Sequence, residues 1–442
     1  MLPIIRHPKT TQRVLDRIGQ SQFPDFKKII ATGFQEYEPL YPRFQKIGTR
    51  KYNRLRNKIA RKEKTVNQGK PPKDQINLYT SRHKRIETKW YLNLTADIKG
   101  FRNQWHASIE SLKDIDQPQS IAWQNPENGA FGSGYNMFHL QCDAMIDAIG
   151  YLYNDGDSTA PEYPLDFLEP INTGEKITEY LTPLITSNLR KTGINHRDQI
   201  GAITGSMSQL VYKSYLRDYV NTYVDGLDIT DEYKGAYTKF LDDWQDPTTG
   251  FWGAWFEVDG KILKSPDLSL TYHTVKYRKG KINLWEELID TLLAIKTQPY
   301  PFGWSVQGHM NNHNSMDVVR IMKLGWEHMT EDQKESSVKD IEEMLDWCLN
   351  DSLEPDGTFR YFSFYNSQGD AFYYGVAFLD AVGYINPDNL FWTDKTFPEG
   401  KGLCLKIKKR LIEMGLDNSG AQNALDILNR DCPCNQEEKA KS

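Results

Sequence analysis

Apolar residues recur along most of this chain at helical spacing, and strand-like alternation is scarce. In the segment 130–153, Met137, Leu140, Met145, Ile146 and Ile149 fall on one helical face. The same period predicts helices over 199–223, 268–279, 312–326 and 367–382. These segments also carry His, Asp, Tyr or Arg on the face that the apolar stripe leaves open. Between them, 285–296 and 330–350 show a cleaner division into one apolar and one charged face. A double layer follows from this contrast. Outer helices meet water on one side and are amphipathic. Inner helices touch the outer layer on one side and line a cavity on the other. The segment from Phe256 to Ile262 reads as a short β-hairpin.

A turn phrase returns along the chain. Trp-Gln-Asn-Pro at Trp123–Pro126 and Trp-Gln-Asp-Pro at Trp244–Pro247 are followed by Gly129 and Gly250, and a looser copy runs from Glu354 through Gly357 to Phe359. Such repetition before helical segments marks stacked helical hairpins. The expectation is an all-α (α/α) toroid of six or seven helical hairpins, with few short β-hairpins and a helical N-terminal extension. The domain reading is 1–115 for the extension, 116–430 for the toroid and 431–442 for a polar tail. The charged run from Arg50 to Lys64 reads as a solvated helix face.

The 442 residues, 39% of them hydrophobic, suffice for a large core. Aromatic residues reach 12%, which suits thick packing or a sugar-binding cleft. A net charge of −5 argues against a general nucleic-acid binder. No run is long enough to cross a membrane. The start, Met1 to Arg6, lacks the apolar centre of a signal peptide. The reading is a periplasmic or secreted monomer whose leader is not part of this sequence, with a cytoplasmic location as the alternative. Five cysteines show no metal-ligand spacing, and Cys432-Pro433-Cys434 reads as ordinary tail chemistry. No cofactor and no metal are expected.

Chemistry concentrates in three places. His309 to Asp317 holds Asn311, Asn312, His313 and Asn314, and amides and imidazoles are costly to bury unless hydrogen-bonded. A helix N-cap accounts for one of these asparagines. Arg360, Tyr361 and Tyr365, followed by Asp370, Tyr373 and Tyr374, could bind a carboxylate and supply a phenolic acid or base. Tyr272-His273 is the third. His139 with Asp143, and Asn195-His196, are further candidates on capping or inner-helix positions. Trp123, Trp244, Trp252, Trp255 and Trp304 are possible sugar-stacking platforms.

Asn311-Asn312-His313 opening an inner helix, with Arg360 and Tyr365 further on, resembles the toroidal polysaccharide lyases that cleave uronic-acid polymers. The repeated turn and the layout over 116–430 look most like polysaccharide lyase family 38, whose members act on alginate or glucuronan. The resemblance implies metal-independent β-elimination on an acidic polysaccharide. Asn312, His313 and Arg360 would neutralise the substrate carboxylate, and a tyrosine would move the proton. Tyr361, Tyr365 and Tyr373 compete for that role, and Asn195-His196 or Tyr272-His273 could replace the central pair. The other readings are a glycoside hydrolase using Asp143, Asp317 or Asp370, a terpene-cyclase-like or prenyltransferase ring, and a non-catalytic carbohydrate-binding ring. The cyclase reading is weak because Asp228-Ile229-Thr230-Asp231 is a poor acid motif.

Overall fold

The computed structural model describes residues 124–131, 138–154, 160–188, 196–258, 261–298, 300–306, 309–362, 365, 367–416 and 418–432, with Gln68 alone before them. Apart from Gln68, the extension expected over 1–115 lies outside the described residues, as do Trp123 and Asn195. The described chain is mostly helical, with few strands. No described helix is long and apolar enough to cross a membrane. The chain divides into two compact units. One takes the described residues up to Asp246 together with Trp252–Ser265, and the other takes Pro247–Phe251 together with Pro266 onward.

The first unit contains α1 (Phe138–Asn154), α2 (Gly174–Leu181), β1 (Thr186–Ser187), α3 (Arg197–Tyr212), α4 (Ser214–Tyr223), α5 (Asp231–Trp244), β2 (Trp255–Val258) and β3 (Lys261–Lys264). Helix α3 packs on α1 and α4, and α5 packs on α2. Helix α5 shows why these segments fold as they do. Thr230 accepts the Tyr233 N–H as N-cap, and Asp231 and Glu232 sit in the first turn, where negative charge suits the helix dipole. Tyr233, Tyr237, Phe240, Leu241 and Trp244 then bury one continuous face.

The expected hairpin is present as β2 and β3, paired antiparallel with Trp255 opposite Lys264, and β1 joins β2 in parallel. The helix expected over 199–223 is instead two. Lys213 adopts an extended ψ of 106° between α3 and α4, and its Nζ donates back to Gln209 Oε1 at 2.6 Å.

The second unit contains α6 (Leu268–Tyr277), α7 (Trp285–Ala294), α8 (Asn312–Gly325), α9 (Glu331–Trp347), α10 (Gln368–Ala381), α11 (Gly400–Met414) and α12 (Ser419–Asp431). Alternate helices are neighbours: α6 packs on α8, α8 on α10, and α10 on α12. The helices between them form a second layer, with α7 against α8 and α9, and α11 against α12. Burial follows the layers. Helix α9 keeps Glu331, Asp332, Glu335 and Glu342 in water, whereas α10 is buried nearly all round and leaves only Gln368, Asp370 and Tyr373 partly exposed. Lys296, just past α7, reaches Asp340 and Glu343 on α9 at 2.6 and 2.7 Å and ties the outer helices together.

The repeated turn has one physical signature. Gly129, Gly250 and Gly357 all have positive φ, at 71°, 69° and 92°. Gly250 also backs onto α7, where a Cβ would lie 2.5 Å from the Leu288 nitrogen. Only glycine combines that conformation with that approach. Cys432 corrects the tail reading. It is buried and disulfide-bonded to Cys404, joining the end of α12 to α11.

Gly250→Ala should therefore lower unfolding stability by about 2 kcal/mol or more, from left-handed strain and backbone overlap combined. Equilibrium urea denaturation measures it. An unchanged midpoint would refute this account of the turn.

Candidate functional site

The first turn of α8 gathers the asparagines. Asn311 is the N-cap, with φ −156° and ψ 149°, and its Oδ1 accepts the Asn314 N–H at 2.9 Å. Asn312 is fully buried. Its side-chain Nδ2 donates to Ser352 Oγ at 2.8 Å, and its backbone N–H donates to Tyr365 Oη at 3.2 Å. Asn314 Nδ2 donates to the Trp304 carbonyl at 2.7 Å. These bonds draw segments from distant parts of the sequence onto one helix start. They still leave Asn311 Nδ2, Asn312 Oδ1, Asn314 Oδ1 and Trp304 Nε1 buried with no hydrogen-bond partner among the described residues. An orphaned buried polar atom costs about 1–3 kcal/mol, so a concentration of them calls for a ligand or bound water.

His313 is the next residue and is partly open to solvent. Its side chain is 18% exposed, and Nε2 lies 3.6 Å from Asp317 Oδ2 one turn further along. The ring packs between Tyr374, at 4.4 Å, and Tyr300, at 5.8 Å. Tyr374 in turn stacks on Tyr365 and touches Tyr373 at the start of α10. A third group follows on the same face of α8. Arg320 Nη1 donates to Tyr272 Oη on α6 at 2.9 Å, and Tyr373 and Asp317 lie close enough to act on its charge. His273 sits between Tyr272 and Tyr277, and Lys276 Nζ stands 5.3 Å over the Tyr272 ring.

Burial sets the charge states. It pushes the Tyr365 phenol well above the ordinary tyrosine range, against a smaller opposing effect of the Asn312 N–H. Burial likewise raises Tyr272, with Asp317 adding to the effect and Arg320 opposing it. Both phenols are therefore protonated at neutral pH. Arg320 stays charged at neutral pH as a guanidinium does, with burial working against the charge and the Tyr272 hydroxyl accepting its hydrogen bond.

Several candidates named from sequence stand elsewhere. Arg360 is on the surface, ion-paired with Glu354, and its guanidinium is not part of the α8 cluster. The arginine that is part of it, Arg320, lies inside a helix where no local motif marks it. Helical spacing from His313 (i, i+7) is the one signal that points to it. Trp252 cannot stack on a sugar, because it is sealed in the first unit with Nε1 bonded to the Leu241 carbonyl. Trp244 is likewise buried, donating to the Gly253 carbonyl. Trp255 is half-buried on β2 under Lys264 Nζ, and Trp304 is buried near Lys296.

The remaining candidates fall on both units. His139 is buried in α1, and His196 precedes α3 with Nδ1 2.5 Å from Gln199 Oε1. His309 is exposed, in a bridge with Val306. Tyr361 is 51% exposed and donates to the Tyr365 carbonyl. Among the described residues, no group of three or more His, Cys, Asp or Glu side chains is placed to hold a metal ion.

Tyr365→Phe should lower stability by about 1–3 kcal/mol, since it strips the Asn312 N–H of its acceptor. Arg360→Ala should leave stability unchanged. Paired urea titrations check both, and the reverse order would overturn this assignment of the two residues. Comparison with protein-family models, curated proteins and solved structures finds no match for this chain.

Proposed function

We propose that the chain is a polysaccharide lyase that cleaves a uronic-acid polymer of the mannuronan, alginate or glucuronan type by β-elimination. The observation that carries this reading is the start of α8. A half-open imidazole backed by Asp317 stands beside buried amide atoms that lack partners. The helix start adds a partial positive charge where a carboxylate can rest.

The chemistry follows from that arrangement. The proton on C5 is a poor acid because the neighbouring carboxylate is negative. Asn311 Nδ2 and the dipole of α8 offset that charge as it spreads into the enolate-like intermediate. Tyr365 and Tyr272 are buried, their hydroxyls are already bonded to the Asn312 N–H and to Arg320, and burial raises both phenols, which speaks against either as the base. An imidazole titrates near neutrality and is suited to take the proton. In this proposal His313 removes the C5 proton and Asp317 steadies the imidazolium. The bond from C4 to the glycosidic oxygen breaks, and the same imidazolium returns the proton to that oxygen. Mannuronate and glucuronate present both atoms on one face, which lets a single group do both.

The layered alternation of α6 to α12 favours an (α/α) toroidal arrangement for the unit that carries the site. The Cys404–Cys432 disulfide favours an oxidising, periplasmic or secreted location. A hydrolase reading would need two carboxylates facing one bond. Asp317 is buried and directed at His313.

Incubation with polymannuronate, glucuronan and polyguluronate, followed by ultraviolet absorbance of the unsaturated uronate, tests the reaction class. His313→Ala should lower kcat by about 10²–10⁴-fold. With His313 rather than a phenol as the base, kcat/KM should reach its plateau well below the phenol range of about 10. Reducing ends without new absorbance would mark a hydrolase and sink the proposal.

A further inference from the structure

We propose that Arg320 forms a second anion-binding subsite along α8, which holds the carboxylate of the uronate two units from the one that reacts at His313. The inference rests on the lyase reading for the identity of the ligand, but its evidence is separate.

That evidence is a charge without a counterion. Arg320 is half-buried, yet its one hydrogen bond among the described residues is from Nη1 to the neutral Tyr272 hydroxyl. No carboxylate lies within ion-pair distance of it among the described residues. Asp317 acts on its charge only from further away. Several other sheltered cations in this chain do have a carboxylate at close range: Lys264 with Asp246 at 3.0 Å, Lys296 with Asp340 at 2.6 Å, and Arg197 with Asp198 at 2.8 Å. A sheltered guanidinium with Nε and Nη2 left over is an incomplete fork, and a carboxylate completes it in two parallel bonds. Lys276, over the Tyr272 ring, adds positive charge beside it.

The spacing names the ligand. Arg320 lies seven residues beyond His313, which along an α-helix is roughly 10 Å on nearly the same face. That is about the length of a disaccharide. In a ribbon-like 1,4-linked chain, successive residues face opposite ways, so carboxylates on one side recur at every second unit. His313 and Arg320 match that recurrence. Most α8 side chains between them are buried, so the helix offers a stripe with these two groups as its partly open polar ends. Tyr272, buried and bonded to Nη1, is then a positioning residue that fixes the fork.

The experiment is calorimetric binding in the His313→Ala protein, which stops turnover. The probes are a uronate tetrasaccharide, the disaccharide and the carboxyl-reduced, neutral tetrasaccharide. Arg320→Gln should weaken the acidic tetrasaccharide by roughly tenfold to a hundredfold. The disaccharide and the neutral tetrasaccharide should bind as before. Tyr272→Phe, which keeps the charge and frees the fork, should give a smaller loss confined to the acidic tetrasaccharide. Arg320→Lys serves if the glutamine variant does not fold, and the same selective loss is expected. An equal loss for the neutral ligand, or none for the acidic one, overturns the subsite. Elimination is assayed separately in wild-type protein. If no polymer yields unsaturated product but Arg320-dependent binding persists, the lyase reading falls and the subsite stands. If product forms while binding ignores Arg320, the subsite falls alone.

Discussion

An α-helix begins with backbone N–H groups that have no partner inside the helix, and the start of α8 lies in the interior. Everything around the candidate site follows from how those donors are met. Asn311 takes the Asn314 N–H, and the Tyr365 hydroxyl takes the Asn312 N–H. Ser352 and the Trp304 carbonyl receive the neighbouring amide side chains. Segments far apart in sequence are thereby fixed to one turn of helix. That turn is also where His313 emerges into solvent.

Layering explains why chemistry is confined to so few positions. In the unit that carries the site, α8 lies between α6 and α10 with α7 and α9 behind it, and α10 lies between α8 and α12, which leaves each a narrow strip in contact with water. On α10 that strip amounts to Gln368, Asp370 and Tyr373, and on α8 it includes His313 and Arg320. A polar side chain placed in such a strip stays close to buried groups that alter its charge. The Tyr272 and Tyr365 phenols, withdrawn from water, keep their protons, while Arg320, bonded to the Tyr272 hydroxyl, keeps its charge as a guanidinium does. Tyrosine and arginine residues that look interchangeable in a list of candidates therefore do different work.

Much of the local structure was legible in the chain itself. Helical period placed α6, α8 and α10 close to their observed limits and found α1, which starts eight residues later than read, and the apolar and charged division singled out α7 and α9 as outer helices. The recurring turn was recognisable because left-handed backbone demands glycine, and its φ values agree at Gly129 and Gly250. Asn311 was open to reading as a cap, since a short amide before an apolar run is what a helix start requires. These are interactions between residues a few positions apart, so their physics is written in consecutive letters.

Long-range pairing was not written there. Arg360, beside several aromatics in sequence, turns to Glu354 at the surface, while Arg320 meets Tyr272 across two helices. Trp252 and Trp255, three residues apart, differ because one is sealed against α5 and the other rides on a half-open strand. Cys432 finds Cys404 rather than serving a polar tail. Sequence determined which segments coil and where they turn, because backbone conformation is a local matter. Tertiary packing decided which charges and rings meet, because those contacts depend on helices far apart in the chain being brought side by side.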